Sequence, residues 1–272
     1  MILYPPAKIN LGLKILRKRE DGYHDIDTCM VEIPFTDILE VTKSDSFEFL
    51  QSGIKISGAG GTNLCEKAYQ LLQNECEIGP VRIHLRKQIP VGAGLGGGSA
   101  DATYTLLALN QLFQLQLPLD KLKQLASELG SDCPFFLEGL PQIAQGRGEI
   151  LSTVELDLFN VFLVLLNPGI HVGTKEAYDG VSVSEDVISI EEIVQKPIEQ
   201  WKELLKNDFE TSVFQRHPEI EKLKEALYQS GAIYAAMSGS GSSVFGLFTN
   251  ENAAMNFNST HLIYKGWFKN PS

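Results

Sequence analysis

The chain has 272 residues, of which 43% are hydrophobic and 21% are charged, as in a globular protein with one large domain or two ordinary ones. Its formal net charge of −11 argues against a nucleic-acid-binding protein, because such proteins present a basic surface to the phosphate backbone. The longest purely apolar run, residues 161–166, is too short to span a bilayer, and the N-terminal residues do not resemble a signal peptide. We therefore predict a soluble cytoplasmic protein that binds neither nucleic acid nor membranes.

The cysteine pattern gives no sign of a metal site or of a disulfide framework. The cysteines form no Cys-x-x-Cys pair and have no paired histidines nearby, which zinc sites require. We expect free thiols in a reducing compartment. The residues concerned are Cys29, Cys65, Cys76 and Cys133.

The first predicted element is a strand in which apolar residues occupy every second position from Ile9 to Ile15. Because successive side chains of a strand point to opposite faces, Lys8 and Asn10 are expected on the same face. A turn at Asp21–Gly22 follows it. Further strands are predicted over 31–41 and 46–56, with breaks at Pro34 and Gly53.

A helix is predicted from Asn63 to about Glu75. Asn63 is a good N-cap residue, and Glu66 three residues later completes a pair that resembles a capping box. The next strand covers residues 81–86, where apolar and polar residues alternate, and it leads into a glycine-rich segment.

That segment has five glycines between Gly92 and Gly98, and a helix is predicted directly after it, from about Ser99 to Phe113. Glycine lets the backbone approach a ligand closely, and a helix N-terminus presents unpaired N–H groups with a partial positive charge. The combination predicts a phosphate-binding loop, with a flexible surface loop as the alternative. A P-loop is excluded because no lysine follows the glycines, and a dinucleotide fingerprint matches only by its letters.

The remaining elements follow in order. Asp120 is expected to begin a helix that ends at Gly130 in a left-handed cap, and Pro134 to lie in the first turn of the next helix. Residues 142–151 are predicted to form a hairpin or a tight loop, and 161–166 a buried strand. Two or three helices are expected over 190–229, and a strand over 244–248 after the small-residue loop 237–243. This order predicts an α+β protein of two lobes, residues 1–152 and 153–272, with the active site in the cleft between them.

Several motifs, taken in order, resemble those of the galactokinase, homoserine kinase, mevalonate kinase and phosphomevalonate kinase (GHMP) superfamily. Any one of them alone would be weak, but the ordered set covers nearly the whole chain. The motifs are Pro6-Ala-Lys-Ile-Asn10, Asp21-Gly-Tyr-His24, Gly94-Leu-Gly-Gly-Gly-Ser-Ala-Asp-Ala102, Gly130-Ser-Asp-Cys-Pro134, Gly146-Arg-Gly-Glu149, Asn207-Asp-Phe-Glu210 and Ser238-Gly-Ser-Gly-Ser-Ser243.

The resemblance is closest to members that phosphorylate the 2-hydroxyl of a cytidine-diphosphate-linked methylerythritol with ATP, in the non-mevalonate isoprenoid pathway. It implies that Asp132 acts as base and that Lys8 stabilises developing charge, because phosphoryl transfer depends on positioning and electrostatics. From the residues alone, Asp132 could instead cap the helix at Pro134, and Lys8 could be an ordinary edge-strand charge.

The resemblance also implies that His24 reads the cytosine, that Tyr23 offers a stacking surface and that Asn10 bonds the substrate. Without it, a turn histidine beside an exposed tyrosine is the simpler interpretation. For Asn63, a helix cap and contact with the nucleotide are equally good interpretations. Residues 172–178 cover the region where the family closes over cytidine, but no stacking partner can be assigned there.

The expected cofactors are ATP and Mg²⁺, the ion being held mainly by ATP phosphates with Ser99 as an additional candidate ligand. Rival hypotheses are another kinase of the superfamily, for homoserine or mevalonate, and a catalytically silent nucleotide-binding regulator. A monomer and a weak homodimer fit equally well. The residues expected at ATP are Asn63, Lys87, Pro90, Gly92, Gly94, Leu95, Gly96, Gly97, Gly98, Ser99, Ala100, Gly239, Ser240 and Gly241.

Overall fold

The computed structural model describes residues 1–55, 62–181, 183 and 188–268, so residue 56 of the strand predicted at 46–56 lies outside the described residues. Strands and helices both contribute throughout. The strands are β1 (Ile2–Leu3), β2 (Pro6–Lys18), β3 (His24–Thr36), β4 (Ile38–Lys43), β5 (Glu48–Gly53), β6 (Val81–Lys87), β7 (Gln142–Gly146), β8 (Ile150–Thr153), β9 (Phe162–Leu166), β10 (Tyr234–Met237), β11 (Val244–Phe248) and β12 (Leu262–Trp267). The helices are α1 (Leu64–Glu75), α2 (Gly97–Leu112), α3 (Leu119–Leu129), α4 (Thr174–Tyr178), α5 (Ile190–Val194), α6 (Trp201–Leu204), α7 (Phe209–Arg216), α8 (Pro218–Gln229) and α9 (Glu251–Asn256), with 3₁₀ turns at Pro134–Leu137 and Ile198–Gln200.

The chain forms two compact units that are interleaved along the sequence. The first unit comprises residues 1–7, 35–91 and 96–139, and the second comprises 8–34, 92–95 and 140–272. The sequence suggested a single boundary between residues 152 and 153 instead. A functional division at that boundary stays a prediction.

The first unit is built on a four-stranded sheet with the order β1-β4-β6-β5. The β5 strand runs parallel to β6, whereas the β1–β4 and β4–β6 pairs are antiparallel. Alternating apolar residues of β6 point into a core that also contains the apolar faces of α1, α2 and α3. This packing holds α2, whose first residues are the last glycines of the glycine-rich segment.

The second unit contains two four-stranded sheets, with the orders β2-β3-β7-β8 and β10-β11-β9-β12. The predicted hairpin is confirmed, since β7 and β8 pair antiparallel between Gln142 and Thr153. The strand predicted at 161–166 is confirmed as β9, which is buried along its whole length between β11 and β12. Strands β10 and β12 lacked a clear alternating pattern and were not predicted.

Three local predictions were wrong. Strand β3 continues through Pro34, which lies beyond the residues paired with β7 (Ile26–Met30), so the missing N–H breaks no bond of that ladder. Gly130 has an extended φ of 171° instead of the left-handed one predicted, a conformation that any residue can adopt. Between Ile190 and Gln229 the chain forms four short α-helices instead of two or three.

Candidate functional site

Strand β2 begins the candidate site in the second unit. The side chains of Lys8 and Asn10 are 5% and 3% exposed, and Lys8 Nζ donates a hydrogen bond of 2.5 Å to Asn10 Oδ1. Asn10 Nδ2 in turn donates to Thr28 Oγ1 of β3 at 3.1 Å. The prediction that Lys8 and Asn10 share one face of a strand is therefore confirmed, and both polar groups are held in a defined orientation.

The first half of the glycine segment, Gly92–Leu95, belongs to the same unit and is tied to β2 by its backbone. The Lys8 N–H donates to Leu95 O at 2.9 Å. At its other end, Ala93 O accepts a hydrogen bond of 3.2 Å from Ser243 N. The Lys8 strand and the 237–243 loop therefore both contact this short segment.

Ser238 links the second loop to both partners. Its hydroxyl donates to Gly94 O at 2.8 Å and accepts a hydrogen bond of 3.2 Å from Asn10 N. The backbones here are so close that a Cβ on Gly94, whose φ is +78°, would lie 1.9 Å from Ser238 O. Only glycine can adopt this positive φ and also leave room for the Ser238 carbonyl oxygen. Three segments expected to bind nucleotide or substrate are thus joined by hydrogen bonds within one unit: strand β2, the first half of the glycine segment and the 237–243 loop.

The second half of the glycine segment belongs to the first unit, where it forms the N-terminus of α2. The helix begins at Gly97, two residues earlier than predicted, and its N-cap Gly96 is left-handed and provides no side-chain cap. The first N–H groups of a helix have no partner within it. Because Gly98 is exposed and no side chain covers these groups as a cap, this terminus has the chemistry of an anion site.

A buried ionic cluster lies under the first turn of α2. The Lys87 ammonium contacts Asp37 and lies 2.7 Å from Asp101 Oδ2, and all three side chains are almost fully buried. A Cβ on Gly97 would lie 2.9 Å from Lys87 Nζ. Burial raises the pKa of Asp101 above its usual value. The positive charge of Lys87 lowers this pKa, and the negative charge of Asp37 raises it again. The Lys87 ammonium therefore packs directly against Gly97 and supports the second half of the glycine segment. Contact between Lys87 and a nucleotide stays a prediction.

Asp132 lies half-buried in the first unit, in the turn before the 3₁₀ helix. The turn is held by a hydrogen bond from Cys133 N to Gly130 O at 3.1 Å and by one from Thr103 Oγ1 to Cys133 O at 2.8 Å. The N-cap of the 3₁₀ helix is Cys133, which makes no side-chain cap hydrogen bond. The role of Asp132 stays a prediction. Burial raises the pKa of the Cys133 thiol to about 11, which makes it a poor nucleophile at neutral pH.

The predicted cytosine-reading residues lie in the second unit. The His24 ring stacks on Tyr178 with centroids 4.6 Å apart, and Tyr178 packs edge-on against Phe209. Tyr23 is 58% exposed, and the Arg147 guanidinium lies 5.0 Å from its ring centroid. Tyr178 is a partner that the sequence did not single out, although it falls in the 172–178 run.

Asn63 is the N-cap of α1, and its capping box is confirmed. Its side chain accepts from Cys65 N at 2.8 Å, while the Glu66 carboxylate accepts from Asn63 N at 2.9 Å. Of the other residues expected at ATP, Pro90 precedes the glycine segment and Gly239, Ser240 and Gly241 lie in the 237–243 loop. Whether any of them contacts a nucleotide stays a prediction.

Within the described ranges, no three or more histidine, cysteine, aspartate or glutamate side chains are grouped as a metal ion would require. Among the helices described, none has the length and apolar character needed to cross a bilayer.

Comparison with known proteins gives consistent results. The family described as GHMP kinases N terminal domain matches residues 63–139, and GHMP kinases C terminal matches 189–257. A 4-diphosphocytidyl-2-C-methyl-D-erythritol kinase of Cytophaga hutchinsonii is 46% identical over 96% of this chain and 97% of its own, and one of Bacteroides fragilis is 50% identical over 92% and 93%.

Solved structures agree. A crystal structure of 4-(cytidine 5′-diphospho)-2C-methyl-D-erythritol kinase matches with a TM-score of 0.81 and 35% identity, over 94% of this chain and 92% of that one. A mevalonate kinase structure matches with a TM-score of 0.70 and 15% identity, over 93% and 92%, which shows a common fold alone.

Proposed function

This chain belongs to the 4-diphosphocytidyl-2-C-methyl-D-erythritol kinases of the GHMP kinase family, and we propose that it transfers the γ-phosphoryl group of ATP to the 2-hydroxyl of that substrate. It is a small-molecule kinase with the mixed α and β fold of the family. Its place would be in the cytoplasm, in the synthesis of isoprenoid precursors. The observation that carries the proposal is the glycine-built N-terminus of α2, which has no side-chain cap and presents N–H groups suited to phosphate.

ATP phosphates would bind the backbone of the glycine segment, residues 92–100. When bound with the nucleotide, Mg²⁺ would supply positive charge that offsets the charge of the phosphates. Because the described residues offer no group of three or more ligating side chains, the donor set fits an ion carried by the nucleotide, with Ser99 as an additional oxygen ligand.

Two charged residues would serve the transfer. Asp132 would accept the proton of the attacking hydroxyl, or orient that hydroxyl, and Lys8 would stabilise the negative charge of the moving phosphoryl group. Support for Lys8 comes from its hydrogen bond to Asn10 and its place on a strand that is bonded to Leu95. Support for Asp132 comes from its place, half-buried, in a turn that hydrogen bonds from Cys133 N and Thr103 Oγ1 hold in a defined shape.

The cytidine end of the substrate would meet His24, Tyr23 and Asn10. Hydrogen bonds to a base edge discriminate strongly, because an unsuitable base leaves buried polar groups unpaired. Stacking adds affinity. The contact of His24 with Tyr178 holds the imidazole ring in a fixed plane, which favours such a role.

The first test is ADP release with ATP, Mg²⁺ and 4-diphosphocytidyl-2-C-methyl-D-erythritol, beside homoserine and mevalonate. We expect turnover with the cytidylyl substrate alone. Turnover with homoserine or mevalonate and none with the cytidylyl substrate would keep the kinase and discard the cytidine site.

The catalytic assignment is tested with Asp132→Asn and Lys8→Met, which should each lower kcat by at least about 100-fold. Matched controls are Asp120→Asn, in the first turn of α3, and Lys18→Met, at the exposed end of β2. Near-normal kcat in both site variants would refute the assignment.

The base-reading assignment is tested with His24→Ala, which should raise the KM for the cytidylyl substrate about tenfold or more and leave the KM for ATP unchanged. His84→Ala is the control, since His84 bonds Ser52 in the first unit. Equal changes in both KM values would contradict the assignment.

A further inference from the structure

The motif Asn207-Asp-Phe-Glu210 contributed to the family resemblance, but the proposed reaction gives it no role. It lies after α6 and continues into the first two residues of α7, and Asn207 at its start is buried. Asn207 Nδ2 donates to two backbone carbonyls, Met237 O and Gly239 O, at 2.8 Å each. Asn207 Oδ1 accepts from Phe209 N at 3.0 Å. Both N–H groups of the amide are thus used to hold one short stretch of backbone.

Glu210 holds the same stretch from the other side of Met237. Its Oε1 accepts from Met237 N at 2.8 Å, and its Oε2 accepts from Lys224 Nζ at 2.5 Å. The motif therefore contacts both the N–H and the carbonyl of the residue that opens the 237–243 loop.

Asp208 joins the motif to β2, the strand that carries Lys8. Its Oδ2 accepts from Ile15 N at 2.7 Å, and its own N–H donates to Leu13 O at 2.8 Å. A third bond runs from Leu13 N to Lys206 O at 2.9 Å. Asp208 thus binds strand β2, while its neighbour Asn207 binds the 237–243 loop. The motif therefore fixes the spacing between this strand and this loop.

We propose that Asn207, aided by Asp208 and Glu210, is a positioning residue that holds the 237–243 loop against the glycine segment in the conformation that nucleotide turnover requires. This inference rests on the proposed function for its kinetic consequence. The loop is in close backbone contact with the glycine segment, because a Cβ on Gly94 would lie only 1.9 Å from Ser238 O. A displaced loop therefore displaces Gly94 and the hydrogen bond that its carbonyl accepts from Ser238.

An amide is suited to this position, because its NH₂ group can donate to two acceptors at once. Aspartate has the same size but presents only acceptors when ionised, so Asn207→Asp would set a carboxylate against two carbonyl oxygens in a buried site. Serine keeps one donor, so Asn207→Ser removes at least one of the two bonds without adding a charge.

The experiment compares Asn207→Asp and Asn207→Ser with a matched control, Tyr228→Phe. Tyr228 Oη donates to Ala235 O at 3.1 Å in the same unit, so the control removes a side-chain bond to β10 without touching the loop. Hydrogen exchange of peptides covering 237–243 and the two KM values are measured together with the unfolding midpoint. We expect Asn207→Asp to speed exchange of the loop amides and to raise the KM for ATP about tenfold, Asn207→Ser to show smaller effects, and the control to change neither.

Loop exchange at the wild-type rate in a folded Asn207 variant would overturn the proposal, as would faster exchange with unchanged kcat and KM for ATP. If Asn207→Asp fails to fold, Asn207→Ser decides by the same two measurements. If the wild-type protein does not phosphorylate the cytidylyl substrate, the proposed function fails, whereas the exchange comparison still decides whether Asn207 holds the loop.

Discussion

Replacing Lys87 by methionine should destabilise the protein severely, because it leaves Asp37 and Asp101 buried without their shared cation. The side chains of Lys87 and Asp37 are 1% and 0% exposed. Asp37 cannot turn away, since its Oδ1 also accepts from Gln88 N at 2.5 Å and Ile89 N at 2.9 Å. Breaking a buried ion pair by removing one partner costs about 3–5 kcal/mol, against a total stability of about 5–15 kcal/mol for a typical domain.

The loss should depend on pH in a defined direction. Burial raises the pKa of Asp101, and Lys87 opposes that rise, so its removal moves the pKa further upward. A carboxyl group whose pKa is higher in the folded state than in the unfolded state stabilises most when both states are protonated. That contribution is lost as pH rises from the unfolded value of about 3.9 through the folded pKa. Lys87→Met should therefore cost more at pH 8 than at pH 5.

The assay is urea denaturation followed by circular dichroism at both pH values, together with the KM for ATP. The control is Lys121→Met, whose partner Glu75 is 42% exposed and whose loss should cost at most about 1 kcal/mol. Equal losses in Lys87→Met and Lys121→Met would refute the reasoning. A raised KM for ATP at unchanged stability would instead favour direct contact between Lys87 and the nucleotide.

Three further variants test other features. Gly94→Ala should lower kcat/KM for ATP at least about 100-fold, since a Cβ would lie 1.9 Å from Ser238 O. The control is Gly180→Ala, whose Cβ would meet no atom within 4 Å and which should leave kcat/KM for ATP near the wild-type value. Equal losses of kcat/KM in the two variants would contradict this explanation. Burial raises the pKa of Glu32 to about 7, so its ionised form destabilises the folded state. Glu32→Gln should therefore raise the free energy of unfolding by about 1–2 kcal/mol at pH 8 and by little at pH 5, measured by thermal unfolding. An equal increase at both pH values would exclude titration of Glu32 as the cause. Asn63→Ala should lower the free energy of unfolding by about 1 kcal/mol, because it removes the N-cap hydrogen bond of α1. A simultaneous rise in the KM for ATP would show that this residue also contacts the nucleotide.

Local patterns predicted the parts of the fold that local physics determines. The alternation around Lys8 and Asn10 placed both on one strand face, and the Asn63 and Glu66 pair gave the start of α1. The glycines between Gly92 and Gly98 indicated a helix N-terminus after a tight loop. In each case the deciding contacts lie within a few residues of one another.

The remainder depended on partners far apart in sequence. Asp37 is 50 residues from Lys87, and nothing near either residue predicts that they meet. The same holds for Tyr178 beside His24, and for Asn207, which reaches carbonyls 30 and 32 residues away. The family resemblance named several of these positions, but it did not give their contacts.

The interleaving of the two units has a consequence for how the chain is made. Strands β2 and β3 leave the ribosome early, yet β7, α7 and the 237–243 loop, which complete their unit, are synthesised far later. Such long-range pairing slows folding, because distant segments must be brought together before their contacts stabilise them. No continuous fragment contains the second unit alone, and a fragment that begins at residue 140 would lack β3, one of the two strands that pair with β7. A nascent chain can pair β2 with β3 early, but β7 and the 237–243 loop, which complete the surroundings of the Lys8 strand, become available only much later in synthesis.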